Sequence, residues 1–321
     1  MISAYAAQGD KLAQTSPDQL DSAIWLDMQD PSRDEEMQLE ALLGLNLPTR
    51  EEMEEIEQSS RLYAEEGALF MTTLIPAQTE GDAPEMAPVT FVLTARKLVT
   101  IRYHAPKSFE LFVQRAAKGG LSVSTAEEVA LSLLEVMVDR LADVLERVGH
   151  DIDTLSRGVF AKDGAKARRG GGWRSVLEEI GRKGSMISNI RDSLGTLERL
   201  SVFFGQRLRD EPDSRELRAR VKDLVSDVRG LADHSAFISQ KVSFLMDATL
   251  GLIGIEQNGI IKIFSVVSVV FLPPTLVASI YGMNFDIMPE LKWPYGYPVA
   301  LGIMVLSAVL PYLFFKRRGW L

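Results

Sequence analysis

Near the C-terminus Asn258, Ile261, Ser265, Ser268, Leu272, Thr275 and Ser279 recur in steps of three and four. At 3.6 residues per turn they share one face of a helix. That face carries four hydroxyls and a carboxamide on a segment otherwise built of Val, Ile and Phe. None of these groups is a nucleophile beside a base. Their chemistry is hydrogen bonding to water, to a hydrated ion or to another helix. In a membrane helix, small polar residues let neighbours pack closely and bond to one another. A row this long can equally be the wall of a pore. It ends in Tyr281-Gly282-Met283-Asn284, and the following loop carries Asp286 and Glu290. Those two acids either raise the local cation concentration or are solvated loop charges.

Two apolar segments hold this face and its loop. Residues 263–281 and 297–315 contain no charged side chain, and each is long enough to cross a hydrocarbon core of about 30 Å as a helix. Lys262 precedes the first, Lys316-Arg317-Arg318 follows the second, and the loop between them has Lys292 as its one base. The bias of Lys and Arg toward the cytoplasm puts both chain ends inside and the short loop outside. Trp293, Tyr295, Tyr297 and Trp320 suit the two interfaces. Pro273-Pro274 interrupts the ladder of the first span and predicts a local bend, static or used in gating.

The rest of the composition narrows the function. The chain has 321 residues, a net charge of −9 and 46% hydrophobic residues, which suits a large soluble part joined to a small membrane part. Its acidic balance disfavours nucleic acid as a partner. There is no cysteine, hence no disulfide and no thiolate metal site. The N-terminus lacks the basic and apolar regions of a signal peptide. His104, His150 and His234 lie in separate elements, so no catalytic or metal-binding pair is visible and an enzyme is the least supported class. Three glycines at 170–172 lack the Gly-Lys-Ser/Thr ending of a phosphate-binding loop.

Residues 1–122 read as a compact α/β domain. Strands are expected at 23–28, 68–75, 89–94 and 97–103, the last two as a hairpin, with 76–88 as a loop. A helix follows Asp30-Pro31-Ser32, and Thr49 with Glu52 forms a capping box opening a second helix with an acidic face. From Thr125 the pattern changes to heptads: Leu131, Leu134, Val138, Leu141, Leu145, Val148, Ile152 and Leu155, then Ile187 to Leu208, then Leu217 to Leu252. These predict long stalk helices packed in coiled-coil fashion. If the last continues to Tyr281 it is about 100 Å long. Its seam is expected to face a common axis of several copies, with the polar row 258–279 continuing that seam.

The Tyr-Gly-Met-Asn motif after the first of two C-terminal spans, the stretch 255–293 and the terminal PYLFFKRRGWL resemble the CorA family of magnesium channels. The resemblance is most specific over the last 70 residues or so. It implies a funnel-shaped homopentamer of α+β protomers in the cell inner membrane, with the first membrane helix lining the pore. By that resemblance Gly282, Met283 and Asn284 form the outer mouth, Thr275 a second polar ring, Leu272 and Ile261 a hydrophobic constriction and Asn258 the cytoplasmic ring. Magnesium holds its water strongly, so a neutral ring of acceptors can recognise the hydrated ion without stripping it. The family is similarly gated by intracellular magnesium bridging carboxylates of neighbouring subunits, for which Asp223, Asp227 and Asp233 are the candidates here, against a reading as exposed stalk acids.

The expected function is therefore potential-driven entry of magnesium, with cobalt and nickel as further cargo. Magnesium is both cargo and regulator, there is no organic cofactor, and the partners are divalent cations, lipid and identical subunits. The expected division is 1–122, 123–257 and 258–321, with spans at about 260–281 and 297–315. Two alternatives stay open: a zinc transporter of the same superfamily, from which Met288-Pro289-Glu290-Leu291 argues away, and a membrane-anchored sensor without transport.

Overall fold

The computed structural model describes residues 1–81, 84–161, 172–210, 214–284 and 288–320. The chain divides into two compact units, Met1–Met246 and Asp247–Leu321.

The first unit is α+β. Its seven strands are β1 (Ile2–Gln8), β2 (Lys11–Thr15), β3 (Trp25–Gln29), β4 (Leu62–Glu65), β5 (Ala68–Ala77), β6 (Glu85–Leu93) and β7 (Leu98–Arg102). They form one sheet in the order β2-β1-β3-β7-β6-β5-β4. The β3–β7 pair is parallel and every other pair antiparallel. β3 and β7 are covered on both faces, so their side chains are buried almost without alternation, as expected of central strands.

One face, with Leu26, Met28, Phe70, Val92, Val99 and Ile101, packs on Leu39 of α1 (Arg33–Leu43) and Met53 of α2 (Arg50–Glu54). Both helices open with complete capping boxes. Ser32 pairs with Glu35, and Thr49 pairs with Glu52, satisfying donors that helix starts leave free. A short α3 (Gln58–Arg61) follows. On the opposite face Trp25 stacks on Tyr5 with ring centroids 4.5 Å apart and meets Phe112 edge-on at 5.2 Å. Phe112 belongs to α4 (Lys107–Lys118). The same face buries a polar ladder. Trp25 Nε1 donates to Thr100 Oγ1 at 3.0 Å, which donates to Asp27 Oδ1 at 2.8 Å. Arg102 clamps the Asp27 carboxylate at 3.1 and 2.7 Å.

The sheet departs from the expected one in three places, one being β4, where no strand was expected. The β1–β2 hairpin was not foreseen, because its strands are rich in Ala and Gln and only Gly9, at φ +67°, marks the turn. The stretch 76–88 is not all loop: β5 runs through Pro76 and β6 through Pro88, paired as Pro76–Met86 and Leu74–Pro88. Leu74 donates its backbone N–H to Thr196 Oγ1 at 3.0 Å, away from β6. These pairs are therefore of the type whose N–H groups point outward, where a proline removes no ladder bond.

Three long helices complete the unit: α5 (Ala126–Phe160), α6 (Gly172–Arg207) and the start of α7 (Arg215–Tyr281). The heptad positions of α5 and α6 are buried, Leu155 alone only partly. Most of those of α7 are buried as well, including Val221, Leu224, Val228, Ile238 and Leu245, while Leu217, Leu231 and Leu252 are only partly so. Here the expectation needs correcting: the seam of α7 is covered by its own chain. A Cβ on Gly149 of α5 would lie 3.3 Å from Ile238 Cδ1. On α6, one on Gly184 would lie 3.4 Å from Val242 Cγ1, and one on Gly205 3.0 Å from Val221 Cγ1. Glycine thus leaves room on both neighbours for the side chains of α7. Lys241–Asp153, Arg220–Glu135 (2.7 Å) and Arg229–Glu198 (2.6 Å) flank the contact.

In the second unit α7 continues to Tyr281, and α8 (Gly296–Arg317) follows a single 3-10 turn at Pro289–Lys292. Both helices are long and apolar enough to cross a membrane.

Candidate functional site

Asn258, Ile261, Ser265, Ser268, Leu272, Thr275 and Ser279 are all exposed on the second unit, Leu272 at 65% and Ile261 at 60%. The roughly opposite face of the helix, about 160° round, is partly or fully covered: Val266, Val270, Pro273, Pro274, Val277 and Tyr281. The row is therefore not the packing face of the helix within its own unit. Its length, 21 residues from Asn258 to Ser279 at 1.5 Å each, is about 32 Å, close to the thickness of a hydrocarbon core.

The row does not continue the stalk seam in phase. Six residues separate Leu252 from Asn258, a rotation of 600°, which leaves the row about 120° from the seam. Seam and row are thus two different faces of α7, one buried in the chain and one exposed.

The hydroxyls are oriented by their own backbone. Ser265 Oγ donates to the Ile261 carbonyl at 2.8 Å, and Thr275 Oγ1 donates to those of Leu272 and Phe271 at 2.8 and 3.1 Å. With the proton turned inward, the oxygen lone pairs are left to accept from whatever lies on that face. Water on a cation is such a donor. Between these hydroxyls, Pro273 and Pro274 stay inside the helix and remove the donors that the carbonyls of Val269 and Val270 would otherwise meet.

At the end of the row the helix closes on Gly282, whose N–H donates to the Ala278 carbonyl at 2.9 Å. A Cβ there would lie 3.1 Å from that oxygen, so a side chain would crowd the terminus. Met283 donates its N–H to the Ile280 carbonyl at 3.3 Å, and Met283 and Asn284 are exposed. Asp286 and the side chain of Glu290 lie outside the described residues. At the other end of the span Lys262 Nζ sits 5.9 Å from the ring of Trp320, beyond the end of α8. That contact puts the start of one apolar helix and the end of the other at the same level.

One exposed acid in line with the row was not singled out from the sequence. Asp247 is exposed and lies two seven-residue steps before Ile261, in line with Ile261, Ser268 and Thr275. The seven-residue spacing was the signal that could have found it. The structure does not draw Asp223, Asp227 and Asp233 together within the chain. All three are exposed on α7, but Asp233 is rotated about 120° from Asp227. Among the described residues no cluster of three or more His, Asp or Glu side chains could hold a metal ion. His150 and His234 are exposed, and His234 stacks on Phe237 at 6.4 Å. His104 is buried, and burial pushes it below the usual histidine range.

The family model described as CorA-like Mg2+ transporter protein matches residues 21–317. Curated relatives named magnesium transport protein CorA match over the full length of both chains. Those of Pasteurella multocida, Haemophilus ducreyi and Salmonella typhimurium are 40%, 39% and 37% identical. Among solved structures, the CorA magnesium transporter of Methanocaldococcus jannaschii is similar in fold. Its TM-score is 0.76 at 21% identity, covering 100% of this chain and 99% of that one. The full-length CmaX protein has a TM-score of 0.70 at 16% identity, covering 100% and 98%. An α+β unit with long helices, two apolar C-terminal helices ending the chain as they do in these structures, and a full-length match in sequence lead to one conclusion: the chain belongs to the CorA family.

Proposed function

We propose that the protein is a channel through which hydrated magnesium enters the cell, built from five copies with the row from Asn258 to Ser279 facing the axis. The observation that carries this reading is the exposed row itself, polar at Asn258, Ser265, Ser268, Thr275 and Ser279 and about one bilayer long. A helix serving as an anchor has no need of it. The names of the full-length relatives support magnesium as the cargo.

In this reading Gly282, Met283 and Asn284 form the outer mouth, where the Asn carboxamide and backbone carbonyls accept hydrogen bonds from the ion's water. A neutral ring recognises the hydrated ion without holding it. Asp286 and Glu290 raise the cation concentration outside. Thr275 and the serines pass the hydrated ion along oxygen lone pairs. Leu272 and Ile261 form apolar rings that close the path by dewetting, Asn258 ends the span, and Asp247 draws the ion into the cytoplasm. Asp223, Asp227 and Asp233 bind regulatory magnesium between subunits, a two-copy arrangement that one chain does not complete. Residues 1–122, 123–257 and 258–321 serve as regulatory domain, stalk and membrane domain, both termini are cytoplasmic, and cobalt and nickel share the path.

The test is magnesium entry into liposomes holding a trapped magnesium-sensitive dye, with an inside-negative potential. Entry in wild type, lost in Asn284→Ala and strongly reduced in Thr275→Leu, supports the channel and its mouth. Zinc flux following a proton gradient without magnesium entry would assign the chain to zinc transport. A folded oligomer that moves neither ion would make it a sensor.

A further inference from the structure

Arg61 and Arg199 are two cations that line one cavity and that no acid among the described residues neutralises. Arg61 ends α3 and is half-buried. Its Nε donates to the Glu55 carbonyl at 2.5 Å. Arg199 lies exposed on α6. Both line a cavity of about 260 Å³, together with Leu62, Thr72 and Thr196. Among the described residues neither guanidinium has an ion-pair partner. The acid next to Arg199 in sequence, Glu198, is held by Arg229 at 2.6 Å. Burial and then the charge of Arg199 hold Arg61 below the usual arginine range, with no carboxylate acting in the opposite sense.

A larger basic cleft of this unit differs on this point. It is lined by Arg102, Lys107 and Arg140, but Asp27 and Glu80 already pair with these cations.

Two forked guanidinium groups facing one small cavity match a tetrahedral oxyanion, which can accept a pair of bonds from each. A second cavity, of about 590 Å³, shares Leu62 and Arg199 with the first and is walled by Val202, Phe203, Gln206 and Ser59. It offers apolar surface, an amide and a hydroxyl to an organic body. Glu198 also lines it and disfavours a second anionic group there.

We propose that this double cavity binds a nucleoside monophosphate, the phosphoryl group between Arg61 and Arg199 and the nucleoside along Val202 and Phe203. The site lies on the sheet-and-helix unit, so its occupancy reports a cytoplasmic metabolite to the helices that lead to the membrane.

The test is calorimetric titration of the full-length protein in detergent with adenosine monophosphate and, separately, inorganic phosphate. Both bind wild type, the nucleotide more tightly. Arg61→Gln and Arg199→Gln each weaken both ligands by about tenfold or more, the loss of charged hydrogen bonds to a phosphoryl group. Phe203→Leu weakens the nucleotide and leaves phosphate unchanged. Arg199 is exposed, so its variant carries the test even if Arg61→Gln fails to fold. Wild type that binds neither ligand at millimolar concentration overturns the proposal, as do arginine variants that bind like wild type. Loss of the oligomer in Arg199→Gln, with no binding by wild type, would assign the arginines to carboxylates of a second copy and overturn it as well.

Discussion

Asp27 shows how much one side chain in the central strands can carry. Its carboxylate is buried with Arg102, which gives it two of its three side-chain hydrogen bonds, and Asp27 in turn takes half of those Arg102 makes. Removing one partner of a buried pair strands the other charge. Arg102→Met should therefore cost about 3–5 kcal/mol, and the double variant Asp27→Leu/Arg102→Met should recover part of it. Thermal unfolding of the detergent-solubilised protein measures both. His104 sets a pH dependence. Its Nε2 donates to the Ile75 carbonyl at 2.8 Å, while Nδ1 is buried without a partner among the described residues. Burial pushes its pKa below the ordinary 6.5, so the folded state takes up the proton less readily than the unfolded one. The stability this contributes is present above pH 6.5 and is lost as pH falls through the lower folded value. His104→Gln keeps the bond to Ile75 and should flatten the fall of the unfolding midpoint between pH 7.5 and 5. None of this ladder was legible in the sequence, because Asp27 and Arg102 meet only through the parallel β3–β7 pairing. The capping boxes were legible, since all their atoms come from residues three apart.

Among the elements, α7 seats its side chains on α5 and α6 over Gly149, Gly184 and Gly205. Gly205→Leu should overpack the contact with Val221 and destabilise the first unit by about 1–3 kcal/mol, seen as a lower unfolding midpoint with little change in the far-UV spectrum. The three heptad seams were plain in the sequence because periodicity is local. What each seam packs against was not, because a repeat of leucines is the same whether its partner is the same chain or another. The 120° step between Leu252 and Asn258 was present in the numbering, and it separates the face spent on folding the chain from the face left for function. The strand ends at Pro76 and Pro88 were hidden for a different reason: proline is disfavoured in a sheet only where its missing N–H would have been used.

At the scale of the molecule, this CorA-family member is a multi-pass inner-membrane protein with a cytoplasmic domain, and it is not an enzyme. The spans and motif were legible because a bilayer demands long uncharged runs. The number of copies was not, because heptads permit several. For a divalent ion crossing the whole field, 100 mV is worth about 4.6 kcal/mol. The proposed magnesium entry should thus slow steeply when an ionophore collapses the potential across the liposome, at unchanged magnesium concentrations. Pro273 and Pro274 have one further consequence. The carbonyls of Val269 and Val270 are without helical donors at a depth where an unsatisfied carbonyl costs several kcal/mol, and the Thr275 hydroxyl is turned to other oxygens. The backbone itself is therefore a moisture gauge. An isotope label on the carbonyl of Val269, the exposed one of the two, should lower its amide stretching frequency when the path fills with water and release it when the path dries, reporting the open state with no ion present.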